Sequence, residues 1–325
     1  MELLEQANNV FLSKHKPETW FERALFFSWF CEIRDCKFCY MSAAKHKPTA
    51  KRSITSLIAE AILCKELGWR FGFLSGGIGA YKRESFLHIL KLLNQVTGEK
   101  LWLNIGALDR QTLMLYKPYT KGVVASVETI NQELHKKLCP SKPLKPYEDM
   151  LRRALRLNLR TAMTIIIGLG ETKQDYTLLK QFIKRYNISK IHFYCLNPQK
   201  GTIFENKQAP TPDEQAWWIA KTRMDFPKMD IQAGIWLDKV SRVGLLLRAG
   251  ANSISKFPAI RYFGSPQAYE IEQQALATGR KFLGTLTEPI AQSTDILIHE
   301  YKIEKSIIQE VKDKLERYLS KIQNT

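Results

Sequence analysis

"TAMTIIIGLGETKQDYTLLKQFIKRYNISKIHFYCL", residues 161–196, decides the fold class. Its ends, 161–167 and 190–196, are nearly continuous apolar runs, as strands become when helices cover both faces of their sheet. A helix pattern at 172–186 separates them. Strand, helix and strand in that order form the repeating unit of a parallel sheet. Outward from this unit the alternation continues. Strands are expected at 24–31, 70–75, 100–105 and 122–128 before it, and at 229–235 and 250–255 after it. Helix patterns lie between them at 53–67, 82–97, 109–116, 146–158, 212–226 and 238–249. The helix near 212 has a strong start signal: Thr211 as cap, Pro212 in the first turn, then Asp213 and Glu214. Eight strands in this alternation suit a closed (β/α)8 TIM-type barrel better than an open sheet.

The domain reading is a helical N-terminal segment over 1–22, the barrel over 23–285 and a helical extension over 286–325. In that extension, apolar residues at 303, 307, 308, 311, 315, 318, 319 and 322 form one helix face. Packing on the barrel is the simplest use of that face, and partner binding is the alternative. At 325 residues and 45% hydrophobic content the chain can bury one large core. No run approaches the roughly 18 apolar residues of a membrane span, and "MELLEQANNVFLSKHKPETW" lacks the layout of a signal peptide. A cytoplasmic location is therefore expected, and with it thiols rather than a disulfide framework. The net charge of +17 fits attraction to polyanions or acidic proteins, and equally a solvated basic surface.

"FFSWFCEIRDCKFCYMS", residues 26–42, gathers Cys31, Cys36 and Cys39, three of only six cysteines. Such thiols can converge on one metal centre in three ways. Zinc would need a fourth ligand, with His46 nearest. A plant-type ferredoxin cluster shares the spacing and would take Cys64 further on. A [4Fe–4S] cluster with three protein thiolates leaves one iron open. Position favours the last. The triplet follows the first expected strand, and barrel enzymes place their chemistry at strand C-terminal ends. Cys64 falls inside a helix pattern, where a small buried side chain is its simplest role.

Other motifs are spread along the chain: "FLSGG" at 73–77, "SVET" at 126–129, "IIIGLGET" at 165–172, "LNPQKGT" at 196–202 and "AGANSI" at 249–254. Together with the cysteines, their order and spacing resemble the radical S-adenosylmethionine (SAM) superfamily, in its biotin-synthase-like branch, over about residues 20–285. The family spacing is C-x3-C-x2-C, and the first gap here is one residue longer. The resemblance implies a [4Fe–4S] cluster on Cys31, Cys36 and Cys39, flanked by Phe38 and Tyr40. It implies SAM contacts from Ser75, Gly76 and Gly77 to the amino group, from Ser126 and Glu128 to the ribose, and from Ile166 to the adenine. Gly76 and Gly77 would let backbone approach a ligand, or simply make a tight turn. Glu128 would accept from two ribose hydroxyls, or form a surface salt bridge. Neither "GGIG" nor "GLGE" completes a dinucleotide-binding fingerprint.

In the family, the reduced cluster cleaves SAM, and a 5′-deoxyadenosyl radical takes hydrogen from an unactivated carbon. Biotin synthase adds sulfur from a second cluster, but Ala162 and Asp230 stand at or near two of its ligand positions, which argues against biotin synthesis. Cys139 and Cys195, expected on the active face, are the candidates for a second Fe–S cluster or a sulfur site. The resemblance extends to archaeal two-subunit lipoyl synthases. That implies sulfur insertion into an octanoyl chain on a carrier protein (a lipoyl domain), a partner radical SAM subunit, and ferredoxin or flavodoxin as electron donor. Lys45, His46, Lys47, Lys51 and Arg52 after strand one, and Lys136, Lys137, Lys142 and Lys145 after strand four, would form a positive rim for an acidic carrier. One alternative is a small free substrate, as for the iron–guanylylpyridinol maturase. A zinc-stabilised nucleic-acid-binding protein is the alternative of another class, but basic residues interleaved with exposed aromatic motifs are missing.

Overall fold

A computed structural model describes residues 2–323. Eight parallel strands run in sequence order: β1 Glu18–Phe26, β2 Arg70–Ser75, β3 Leu101–Asn104, β4 Thr120–Glu128, β5 Arg160–Ile167, β6 Lys190–Cys195, β7 Asp230–Gly234 and β8 Ser253–Ser255. β1 pairs with both β8 and β2, which closes the (β/α)8 barrel. A short ninth strand, β9 (Lys281–Leu283), adds to the N-terminal half of β1 at Glu18, Thr19 and Trp20. Crossover helices cover the outside, as buried parallel strands require.

One strand differs from the sequence reading. The first was expected over 24–31 but spans Glu18–Phe26. Its sequence "ETWFERALF" places Glu22 and Arg23 mid-strand, and charge there masks the apolar run. Glu22 is nonetheless 2% exposed, because Lys190 meets it inside the barrel at 2.6 Å. The N-terminal segment consequently ends sooner than residue 22. Its helix is Glu2–Lys14, and the barrel begins at Glu18. Residues Phe27–Cys31 form a loop above the strand, and the Phe27 N–H donates to the Ser75 carbonyl at 2.8 Å.

The helix Ile54–Glu66 lies outside β1, capped by Ser53. Against it packs the C-terminal helix Ile308–Gln323, which buries Val311, Leu315, Leu319 and Ile322. The Tyr318 hydroxyl meets Ser56 Oγ at 2.9 Å and accepts from Arg52 at 2.8 Å. The apolar face of the extension is thus spent on the barrel. No helix among the described residues is long and apolar enough to cross a membrane.

Candidate active site

A cavity of about 510 Å³ opens where the strands end, a volume typical of a small-molecule site. The loop after β1 brings Cys31, Cys36 and Cys39 to its wall, with Phe38 and Tyr40 between and beside them. The β2 end contributes Ser75, Gly76 and Gly77, β4 contributes Ser126 and Glu128, and β5 contributes Ile166. One cavity therefore gathers every SAM-contact and cluster position inferred from the sequence. Cys31 lies further from its strand than expected, five residues past the end of β1 at Phe26.

Glu128 owes its aim to the backbone. The β4–β5 register slips between Ala125 and Glu128, and Glu128 has φ 65°. A bulge with a left-handed residue turns a strand-end side chain, at a cost that the surroundings must offset. Here Thr164 donates to its Oε2 at 3.1 Å and the Lys142 ammonium stands 3.3 Å from its Oε1. Burial opposes the Lys142 charge, but Glu128, with smaller contributions from Tyr147, Cys36 and Cys139, outweighs it and holds its pKa above the usual lysine range. Beside this pair, Ser126 donates to Asn104 Oδ1 at 2.6 Å, and Asn104 Nδ2 donates to Ser75 Oγ at 3.4 Å. Three strand ends are thereby linked by side chains. Asn104 was not singled out from the sequence, because an asparagine in "WLNIGA" carries no motif.

The two glycines also have a packing role that the sequence reading did not anticipate. A Cβ on Gly77 would lie 1.7 Å from the Phe30 carbonyl oxygen, and one on Gly76 would lie 2.5 Å from the Phe27 ring. The space beside them is filled by the cysteine loop itself. Their bareness lets that loop dock on β2, while both glycines also line the cavity.

The thiols ring the cavity without meeting at a point. Among the described residues no three His, Cys, Asp or Glu side chains stand close enough to hold one metal ion. A single zinc, with bonds of about 2.3 Å, would draw its thiolates together; a multi-iron cluster binds each thiolate at a separate corner. Cys39 is nevertheless near enough to feel its neighbours. Burial first, then the Cys36 and Cys31 charges, push its thiol up to about 11, against a lowering hydrogen bond from the Met41 backbone. The hydrogen bond with Cys139, and then burial, push Cys36 up as well. Thiols that resist ionising side by side call for a cationic group to become thiolates, which iron supplies.

The remaining candidates separate. Cys64 is fully buried in the helix Ile54–Glu66, outside the barrel. The His46 ring packs edge-on to Tyr40 at 6.4 Å rather than completing a metal site. Cys139 ends the helix Gln132–Leu138 and lies behind Cys36 in a small apolar cluster with Leu138, Leu169, Leu196 and Phe204. Cys195 closes β6 on the cavity wall, 1% exposed, and its sulfur accepts from Arg242 at 3.2 Å. Two of the expected rim cations are withdrawn from the rim. Lys142 is buried on Glu128, and Arg52 is tied to Glu60, Ser56 and Tyr318.

Comparison with known proteins decides the family. The radical SAM superfamily model matches residues 27–183, the cysteine loop through the helix after β5. This chain belongs to the radical SAM superfamily. It is 38% identical, over 99% of its length and 95% of the other's, to an uncharacterised protein of Methanocaldococcus jannaschii. It is 26% identical to a biotin synthase of Acetivibrio thermocellus over 61% of this chain and 64% of that one, which fits the biotin-synthase-like branch. The crystal structure of methylornithine synthase superposes with a TM-score of 0.72 at 20% identity, covering 86% of this chain and 88% of that one. That last likeness shows a shared fold. A radical SAM protein holds a [4Fe–4S] cluster and SAM, and Cys31, Cys36 and Cys39 are the residues that fit the cluster here.

Proposed function

We propose that this radical SAM enzyme removes a hydrogen atom from an unactivated carbon of a small free molecule held inside the barrel mouth. The observation that carries this reading is the convergence of the three thiols, Glu128 and an otherwise largely apolar wall on one cavity. A bound cluster and SAM would supply the radical chemistry. The chain's own residues do the rest. Cys31, Cys36 and Cys39 would hold the iron. Glu128, locked by Thr164 and Lys142, would present a carboxylate to the ribose hydroxyls. Ser75 and Asn104 would offer a polar edge for the methionine end, Ser126, hydrogen-bonded to Asn104, would join Glu128 at the ribose, and Ile166 would give an apolar floor for the base. Phe26, Phe73 and Trp236 wall the substrate space and exclude water, which protects a carbon radical from side reactions. Incubated anaerobically with SAM and dithionite, the protein is expected to form 5′-deoxyadenosine, read by mass spectrometry, and Cys36→Ala to form none. Equal turnover by Cys36→Ala would refute the assignment.

Sulfur insertion into a carrier-bound octanoyl chain is the second reading, favoured by Cys195 on the cavity wall and Cys139 behind Cys36. Both thiols are 1% exposed, and burial pushes the Cys195 thiol up. A second cluster would raise the iron content to about eight per chain, falling on Cys139→Ser or Cys195→Ser; about four irons, insensitive to both changes, would remove these thiols as ligands. Under this reading an octanoylated lipoyl domain would gain sulfur, and the exposed Lys45, Lys47, Lys136 and Lys137, in the segments after β1 and β4, would meet that acidic carrier.

A further inference from the structure

Two polar groups at the mouth lack a hydrogen-bond partner in the protein. Lys256 stands one residue past β8 with φ 70°, in the left-handed region that favours glycine. Its ammonium lies 4.7 Å from the centre of the Tyr194 ring and 5.6 Å from that of Trp236. Among the described residues it makes no hydrogen bond or ion pair. Tyr194 is 8% exposed, and its buried hydroxyl has no hydrogen-bond partner. Both side chains line the cavity of the thiols and also a cavity of about 210 Å³ bordered by Phe26 and Phe73. Burial pushes the Lys256 ammonium below the usual lysine range even though Glu128, already committed to Lys142, pulls the other way.

A withdrawn cation and a buried hydroxyl without acceptors are costly unless a ligand supplies them. One oxyanion satisfies both, accepting from the ammonium and from the phenol. We propose that Lys256 and Tyr194 anchor a carboxylate or phosphate of the substrate, with its aliphatic part against Phe26 and Phe73. This rests on the hydrogen-abstraction reading and adds the class of molecule: a small aliphatic acid or phosphate ester. An octanoyl chain tethered through an amide carries no such group.

The test is calorimetric titration of the anaerobically reconstituted protein, with SAM present, by hexanoate, hexyl phosphate and neutral hexanamide. At least one anion is expected to bind about tenfold or more tightly than hexanamide, from charge-assisted hydrogen bonds. The better of the two anions tells carboxylate from phosphate. Lys256→Met is expected to erase the preference, Lys256→Arg to keep most of it and Tyr194→Phe to lose part. Thermal denaturation confirms that each variant is folded. Equal affinity of the wild type for all three probes, or an intact preference in Lys256→Met, overturns the proposal. So does a loss of SAM affinity in place of anion affinity in Lys256→Met, which would assign the lysine to the SAM carboxylate. Failure of the hydrogen-abstraction reading shows separately, as absent 5′-deoxyadenosine alongside a preserved anion preference.

Discussion

Lys190 and Lys256 are lysines at opposite ends of one barrel interior. Lys190, at the start of β6, donates to Glu22 at 2.6 and 2.8 Å and to Asp230 at 3.0 Å. The Glu22 carboxylate also accepts from Gln232 at 2.9 Å and Ser253 at 3.0 Å. Burial works against the Lys190 charge, but Asp230 and Glu22 outweigh it and raise its pKa. At Lys256 burial wins and the pKa falls. The floor has used up its lysine's hydrogen-bonding capacity within the protein, whereas the mouth keeps some in reserve. That is the division expected of a barrel whose N-terminal face serves stability and whose C-terminal face serves chemistry.

The sharpest way to break this contrast is Lys190→Met. It strands the buried carboxylate of Glu22 and removes the partner of the half-buried Asp230, and should cost about 3–5 kcal/mol in denaturant unfolding. A cost under about 1 kcal/mol would mean that the floor network does not hold the fold. Gly77→Ala comes next. Its methyl group would press on the Phe30 carbonyl and displace the cysteine loop, costing about 1–3 kcal/mol and lowering the iron bound on reconstitution. Full iron loading would show that the loop does not depend on that approach. Lys256→Met, measured beside Lys190→Met, should change stability least, by less than about 1 kcal/mol, because it breaks no hydrogen bond or ion pair. Losses of equal size at both lysines would erase the distinction between floor and mouth.

Most of the barrel could be read from the sequence, because helix-covered parallel strands are apolar on both faces and stand out. β2 falls at 70–75 as expected, and β3 to β8 lie within three residues of their expected starts. β1 was misplaced because a buried ion pair put a glutamate where the pattern asks for an apolar residue. The cysteine loop and Glu128 were legible through local motifs. Asn104, Thr164, Tyr194 and Lys256 were not. They are single residues on or just past separate strands, and only barrel closure brings them to one cavity. Lys256 still had a faint signal, a cation directly after the "NSIS" of the last barrel strand.

Electron paramagnetic resonance of the reduced, reconstituted protein, recorded with and without SAM, tests the central assignment most directly. Three protein thiolates leave one iron open, so the cluster signal should change shape when SAM is added and vanish in Cys31→Ala, Cys36→Ala and Cys39→Ala. A signal indifferent to SAM, or stoichiometric zinc with no sulfide, would contradict it.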